Sequence, residues 1–217
     1  MKHRIDIKTW DRESVFNFFK KFLIAARTTT SEVDCTEAFK HCKENKISFF
    51  RVSLYAALRA INEIDELKYR IEDGGETVYM HDRIDALTPI KINDQHKFVE
   101  AYVPYNPDFV EFYSSVDQSI NLAKNETDSY AFMNSKDPDI GVATVSCIPD
   151  LYFTSLTGTN IGDKNYNITI ATIGKVVKRE DRLVMPVAIN AHHGLCDGHH
   201  LIQFFKKTEE YLKVVIK

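Results

Sequence analysis

Apolar residues recur along this chain with two alternating periods, and the switches between them predict its elements. In residues 49–64, Phe50, Leu54, Ala57, Leu58 and Ile61 follow the 3.6-residue period of a helix buried along one side. The same period runs through Phe16, Phe18, Phe19, Phe22 and Leu23 after the opening Asp11-Arg12-Glu13, and through Val110, Phe112, Val116 and Ile120 after Asn106-Pro107-Asp108. It returns in Leu201, Ile202, Phe204, Phe205, Tyr211 and Leu212. A shorter helix is expected from Asp34-Cys35-Thr36-Glu37, with Glu37 at the capping-box position, to His41 or Lys43. Alternating or β-branched stretches predict strands at residues 4–10, 28–33, 77–80, 84–92, 97–103, 141–148, 166–177 and 183–190. Asp73-Gly74-Gly75-Glu76 and Asn93-Asp94-Gln95 read as turns between strands, and residues 124–139 as a polar, turn-rich loop.

Helices interspersed with strands, without an internal repeat, imply a mixed α/β fold. The chain has 217 residues, 44% of them hydrophobic, enough for one sizeable core, and carries no Pro/Gly/Ser-rich linker, so residues 1–217 are expected to form a single domain. A net charge of −3 and a pI near 6.2 give no electrostatic attraction for nucleic acid or for a membrane surface. No apolar run approaches a membrane span, and Met1-Lys2-His3-Arg4-Ile5-Asp6 lacks the core of a signal peptide, so a cytoplasmic location is expected. The four cysteines, Cys35, Cys42, Cys147 and Cys196, form no CxxC pair and read as reduced, mostly structural thiols.

The candidate chemistry is concentrated in one place. Of eight histidines, His192, His193, His199 and His200 fall within nine positions, together with Asp197. The predicted strand 183–190 precedes them and the last predicted helix follows, so the cluster sits where a strand hands over to a helix, with Gly194 and Gly198 easing the turn. A neutral imidazole in this position can take a proton from a hydroxyl, with Asp197 orienting it or holding the turn. Two other readings compete: zinc ligation by His and Asp, for which no HExxH or Cys-pair spacing is present, and an inert, solvated His-rich turn.

His192-His193-Gly194-Leu195-Cys196-Asp197-Gly198-His199 resembles the active-site signature of the chloramphenicol acetyltransferase family, His-His-x-x-x-Asp-Gly followed by His. The broader His-x-x-x-Asp-Gly pattern also occurs in dihydrolipoyl acyltransferase and peptide-synthetase condensation domains, so by itself it implies acyl transfer and not a substrate. Three further stretches resemble the same family in the same order. Trp10-Asp11-Arg12-Glu13 is similar to its Trp-x-Arg-Lys/Arg-Glu, which implies an Arg12–Asp197 salt bridge that shapes the site. Ser146-Cys147-Ile148-Pro149 is similar to its Ser-x-x-Pro, which implies that the Ser146 hydroxyl donates to the oxyanion of a tetrahedral intermediate. Ala171-Thr172-Ile173-Gly174-Lys175 is similar to its Thr-x-(Gly/Ala)-Lys, which implies that Thr172 holds a water reaching the same oxyanion and that Lys175 lies near the coenzyme phosphates.

The resemblance spans Trp10 to Phe205. It implies a two-layer α/β sandwich with a large mixed β-sheet, and a homotrimer whose active sites lie at subunit interfaces. It also implies a reaction: neutral His193 deprotonates a hydroxylated acceptor, which attacks the thioester of acetyl-CoA, with no metal involved. Cys196 as an acyl-accepting nucleophile is the competing route. Phe18, Phe19, Leu23 and Leu156 match positions of the family's acceptor pocket. There are departures. Phe19 stands where the best-known members have Tyr, Leu156 and Gly158 replace a Phe and a Leu, Asp150 replaces a Trp, and Ser48 replaces a Lys. The last leaves Lys46 or Arg51 to meet phosphate charge before Phe49-Phe50. An acetyltransferase for a different hydroxylated acceptor, and a trimeric binding module without catalysis, are the alternatives these departures keep open.

Overall fold

The structure, a computed structural model, describes residues 1–92, 97–135, 137, 139–158 and 167–214. In chain order the elements are β1 (Lys2–Arg4), α1 (Glu13–Phe19), β2 (Ala26–Asp34), α2 (Thr36–Glu44), α3 (Phe49–Asn62), α4 (Asp65–Lys68), β3 (Tyr69–Glu72), β4 (Thr77–His81), β5 (Ile84–Ile92), β6 (Lys97–Val103), α5 (Phe109–Ala123), α6 (Ala131–Ser135), β7 (Gly141–Cys147), β8 (Ile170–Ile173), β9 (Val177–Arg179), β10 (Arg182–His192) and α7 (Gly198–Val214). The strands form a large mixed sheet in the order β2-β10-β8-β7-β5-β6, with β9 paired to the start of β10, and a small sheet in the order β1-β4-β3. In the large sheet β5, β7 and β8 run parallel and the remaining pairs are antiparallel.

Strand alternation decides what each face of the large sheet does. Val145, Ala171, Met185, Val187 and Ile189 point at helices α2, α3, α5 and α7 and form one core with Leu54, Leu58, Phe112 and Phe204. Helix α3 carries nine buried residues because its apolar positions cover well over half its circumference. It is clasped to α7 by Arg59, whose guanidinium lies 4.3 Å from the ring centre of Tyr211 and donates to Tyr55 Oη at 2.7 Å, while Lys207 pairs with Glu63 at 2.8 Å. The small sheet is tied to the large one by buried Arg70, which donates to the carbonyls of Leu67, Tyr69 and Val142. The opposite face of the large sheet carries Ser146, Thr172, Ala188 and Thr30 in one row: Ser146 pairs with Thr172, Thr172 with Ala188 and Ala188 with Thr30.

Several boundaries differ from the sequence reading, each for a local reason. The first strand is Lys2–Arg4, and the residues after it form a turn in which Asp6 accepts from the Lys8 amide. Helix α1 ends at Phe19, so Phe22 and Leu23 lie beyond it. Helix α2 starts without the capping box at Glu37; Asp34 Oδ1 instead accepts from both the amide and the hydroxyl of Thr36. The strand expected at 166–177 is the short β8 and a separate β9, since Gly174 and Lys175 pair out of the ladder with Pro186 and Leu151. The expected loop 124–139 contains helix α6. Asp108 caps α5 as expected, accepting from the Glu111 amide, and Asp73-Gly74-Gly75 forms a 3-10 turn with Gly74 at φ +70°. The Asn93-Asp94-Gln95 turn and the start of the strand expected at 166 lie outside the described residues. Among the described residues no helix is long and apolar enough to cross a membrane.

Candidate active site

The long strand β10 delivers His192 and His193 to its far end, and α7 begins five residues later. The connecting turn is closed on itself: Leu195 N and Cys196 N donate to the His192 carbonyl, and Gly194 N donates to His192 Nδ1 at 3.1 Å. Gly194 has to be glycine, because a Cβ there would come within 2.9 Å of the His192 ring. His192 is buried, and burial, with His193 beside it, pushes its pKa down to about 4. It is therefore a neutral, structural imidazole.

His193 is held differently. Its amide donates to the Ala25 carbonyl, and its ring stacks on Phe19 with centroids 4.3 Å apart and planes at 24°. Nδ1 lies 3.1 Å from the Cys196 carbonyl and Nε2 lies 3.1 Å from Arg27 Nη1. A carbonyl only accepts and a guanidinium only donates, so the proton sits on Nδ1 and Nε2 presents its lone pair. That is the tautomer a general base at Nε2 requires.

Arg12, on the turn before α1, donates from Nη1 to Asp197 Oδ2 at 3.1 Å, the pair that the sequence resemblance implies. Its side chain is only 11% exposed, and Nε and Nη2 are buried without a partner. Burial pushes the Asp197 carboxyl up, but Arg12, His200 and the His199 amide outweigh it and hold the carboxyl below its ordinary range. His200 continues the network, with Nδ1 3.2 Å from Asp197 and Nε2 3.3 Å from Glu66 on α4. Among the described residues Asp197 has no hydrogen bond to His193; it is tied instead to Arg12, His199 and His200, which fix the turn. Cys196 is 3% exposed and burial raises its thiol to about 12, which keeps it from forming the thiolate that an acyl-accepting nucleophile needs. Among the described residues no three His, Cys, Asp or Glu side chains gather as a ligand set for a metal.

Ser146 and Thr172 sit elsewhere. They are cross-strand neighbours on β7 and β8, and among the described residues neither hydroxyl has a hydrogen-bond partner. Thr172 pairs with Ala188, four residues before the end of β10 at His192. Four residues of extended strand are about 14 Å, and Ser146 is two strand spacings, roughly 10 Å, from β10. Within one chain the imidazole corner at His193 and the hydroxyl pair at Ser146 and Thr172 therefore lie too far apart to meet at one carbonyl carbon.

Beside the hydroxyl pair a cleft of about 700 Å³ opens at the carboxyl ends of the parallel strands β5, β7 and β8. Its walls are apolar, with Phe49, Phe50 and Ile120 among them, and Lys91, Lys124 and Lys175 are its cations. All three lysines are exposed and none has a carboxylate partner among the described residues. Lys46 and Arg51 do not line it; Arg51 is ion-paired with Asp117 and lies 4.4 Å from the Tyr113 ring centre.

Leu23, beyond the end of α1, is 62% exposed, and Phe18, 55% exposed, extends the aromatic corner that Phe19 begins. Leu156 lies apart from it on the segment after β7, where Gly158 packs against Asn190. Arg27, Glu66, Lys91 and Lys124 escaped the sequence reading. Only the pairing of β2 with β10, which sets Arg27 opposite Ala191, brings Arg27 to the base.

The comparisons with known proteins agree with this geometry. The family described as chloramphenicol acetyltransferase matches residues 1–209. Chloramphenicol acetyltransferase 3 of Escherichia coli is 26% identical, over 99% of this chain and 98% of its own length; the chloramphenicol acetyltransferase of Clostridium butyricum is 27% identical, over 95% and 92%. A solved chloramphenicol acetyltransferase superposes with a TM-score of 0.92 at 45% identity, covering 98% of this chain and all of that one. A probable dihydrolipoamide acetyltransferase of Listeria monocytogenes, 16% identical over 95% of this chain and 93% of its own, shares the fold with a TM-score of 0.64. With a signature turn, a half-buried Arg12–Asp197 pair and a family match over residues 1–209, this chain belongs to the chloramphenicol acetyltransferase family of acyltransferases.

Proposed function

We propose that this protein transfers the acetyl group of acetyl-CoA to a hydroxyl of chloramphenicol, in a homotrimer whose sites each join the His193 corner of one chain to the Ser146–Thr172 row of the next. The observation that carries this reading is the His193 tautomer, set by Cys196 and Arg27 so that Nε2 carries the lone pair that a base needs. In the reaction, Nε2 takes the proton of the acceptor hydroxyl as the oxygen attacks the thioester carbonyl. Ser146 and a water held by Thr172 donate to the oxyanion. The intermediate collapses to the acetyl ester, and the CoA sulfur leaves with the proton carried by His193. Phe18, Phe19, Leu23 and Leu156 wall the acceptor.

The cleft between Phe49, Phe50 and Lys175 suits the coenzyme: its apolar walls match the pantetheine arm, and Lys91, Lys124 and Lys175 match its phosphates. The strand register supports two chains per site, since His193 and Ser146 of one chain lie too far apart for a common carbonyl, and a closed threefold ring of heterologous contacts would give three equivalent sites. We take the chain to act as a single domain in the cytoplasm, without nucleic acid or membrane as partners; all four cysteines are free thiols.

The test is thiol release from acetyl-CoA in the presence of chloramphenicol, comparing the wild type with His193→Ala. Release above background that falls by several orders of magnitude in kcat in the variant, with acetyl-CoA binding retained, is the expected result. Background release from the wild type would defeat it.

A further inference from the structure

The guanidinium of Arg27 sits on the one atom that has to take the acceptor's proton. Its Nη1 donates to His193 Nε2 at 3.1 Å, from an exposed position at the start of β2. Among the described residues it has no carboxylate partner, whereas Arg12, Arg51, Arg59, Arg83 and Arg179 each have one. Room for the group is part of the local structure: a Cβ at Gly198 would lie 3.3 Å from Arg27 Nη2. The far side of the imidazole is closed by Phe19, with Phe18 and Phe22 packed against it.

Nε2 has a single in-plane lone pair, so Arg27 and an acceptor hydroxyl cannot both donate to it along that direction. An acceptor that reaches the base has to displace the guanidinium. Once the corner is covered and dry, a displaced cation with nothing to bind is costly beside three apolar side chains, Phe18, Phe19 and Phe22. An acceptor that brings its own anion removes that cost, and the planar fork of a guanidinium matches a carboxylate in two parallel hydrogen bonds.

We propose that Arg27 is the acceptor-recognition residue of this acyltransferase, yielding His193 Nε2 to the acceptor hydroxyl and taking in exchange a carboxylate carried beside that hydroxyl. The proposal deepens the acyl-transfer reading and rests on it. It makes Arg27 both the latch on the base in the free protein and the source of a preference for hydroxy acids over neutral alcohols.

A matched pair of acceptors isolates the effect: N-benzoylserine and N-benzoylserinol differ only in carrying a carboxylate or a hydroxymethyl group beside the primary hydroxyl. With thiol release from acetyl-CoA as the readout, the wild type is expected to favour N-benzoylserine by about tenfold in kcat/KM, the order of one charge-assisted contact. Arg27→Ala and Arg27→Gln lose that preference, and Arg27→Lys keeps part of it. The ratio is internal to each variant, so partial loss of folded protein cancels. Chloramphenicol is run in parallel. Turnover of chloramphenicol with no carboxylate preference in the wild type, or with the same ratio in Arg27→Ala and Arg27→Gln, would overturn the role of Arg27 and leave acyl transfer standing. Release from no acceptor at all would remove both.

Discussion

Phe19 and His193 are stacked partners within one chain, ring centroids 4.3 Å apart, which puts both in the same half of the proposed two-chain site. Chains carrying His193→Ala mixed with chains carrying Ser146→Ala should regain activity, because one interface in each mixed trimer joins an intact His193 to an intact Ser146. Chains carrying His193→Ala mixed with chains carrying Phe19→Asp should not, since both lesions fall in the same half. Rescue is read as thiol release after mixing under denaturant and refolding. Equal rescue in both mixtures would refute the assignment of halves.

Ser146 has a hydroxyl with no partner among the described residues, at a strand end beside the cleft proposed for the coenzyme. A donor held for an oxyanion is worth about 2.7–4 kcal/mol, so Ser146→Ala should lower kcat by two to three decades. Steady-state kinetics at saturating acetyl-CoA measures this directly. Turnover within a factor of three of wild type would leave Ser146 with no catalytic part.

Acid stability should report on His192. Its pKa falls from an ordinary 6.5 to about 4 in the folded protein, so between these values the unfolded chain binds the proton and the folded chain does not. Its contribution is complete above pH 6.5 and is lost progressively as the pH falls towards 4, by about 3 kcal/mol in all. His192→Asn retains an acceptor for the Gly194 amide and does not titrate. Urea midpoints measured from pH 7 to 4.5 should therefore fall less steeply for this variant than for the wild type, and parallel curves would contradict the burial argument.

The elements with long, one-sided periodicity were legible before any coordinates: α3, β5 and β6 appear within two residues of their expected bounds, and α5 and α7 contain all their expected apolar positions. Failures came where a few hydrogen bonds outweigh pattern. Gly174 and Lys175 leave the ladder to pair with Pro186 and Leu151, which splits one expected strand in two. Within the site, the Arg12–Asp197 pair was legible because both residues sit in recognisable motifs. Arg27, Lys91 and Lys124 were not, because each acquires its role only from what strand pairing and helix packing bring beside it, and nothing in the local sequence distinguishes them from solvated cations.

The register sets His193 beyond the end of β10, far from the row of Ser146 and Thr172. On the proposed two-chain site, a newly made copy would fold with a finished core and an unfinished site, and turnover would wait on its meeting others. Specific activity would then fall on dilution below the concentration at which the chains assemble.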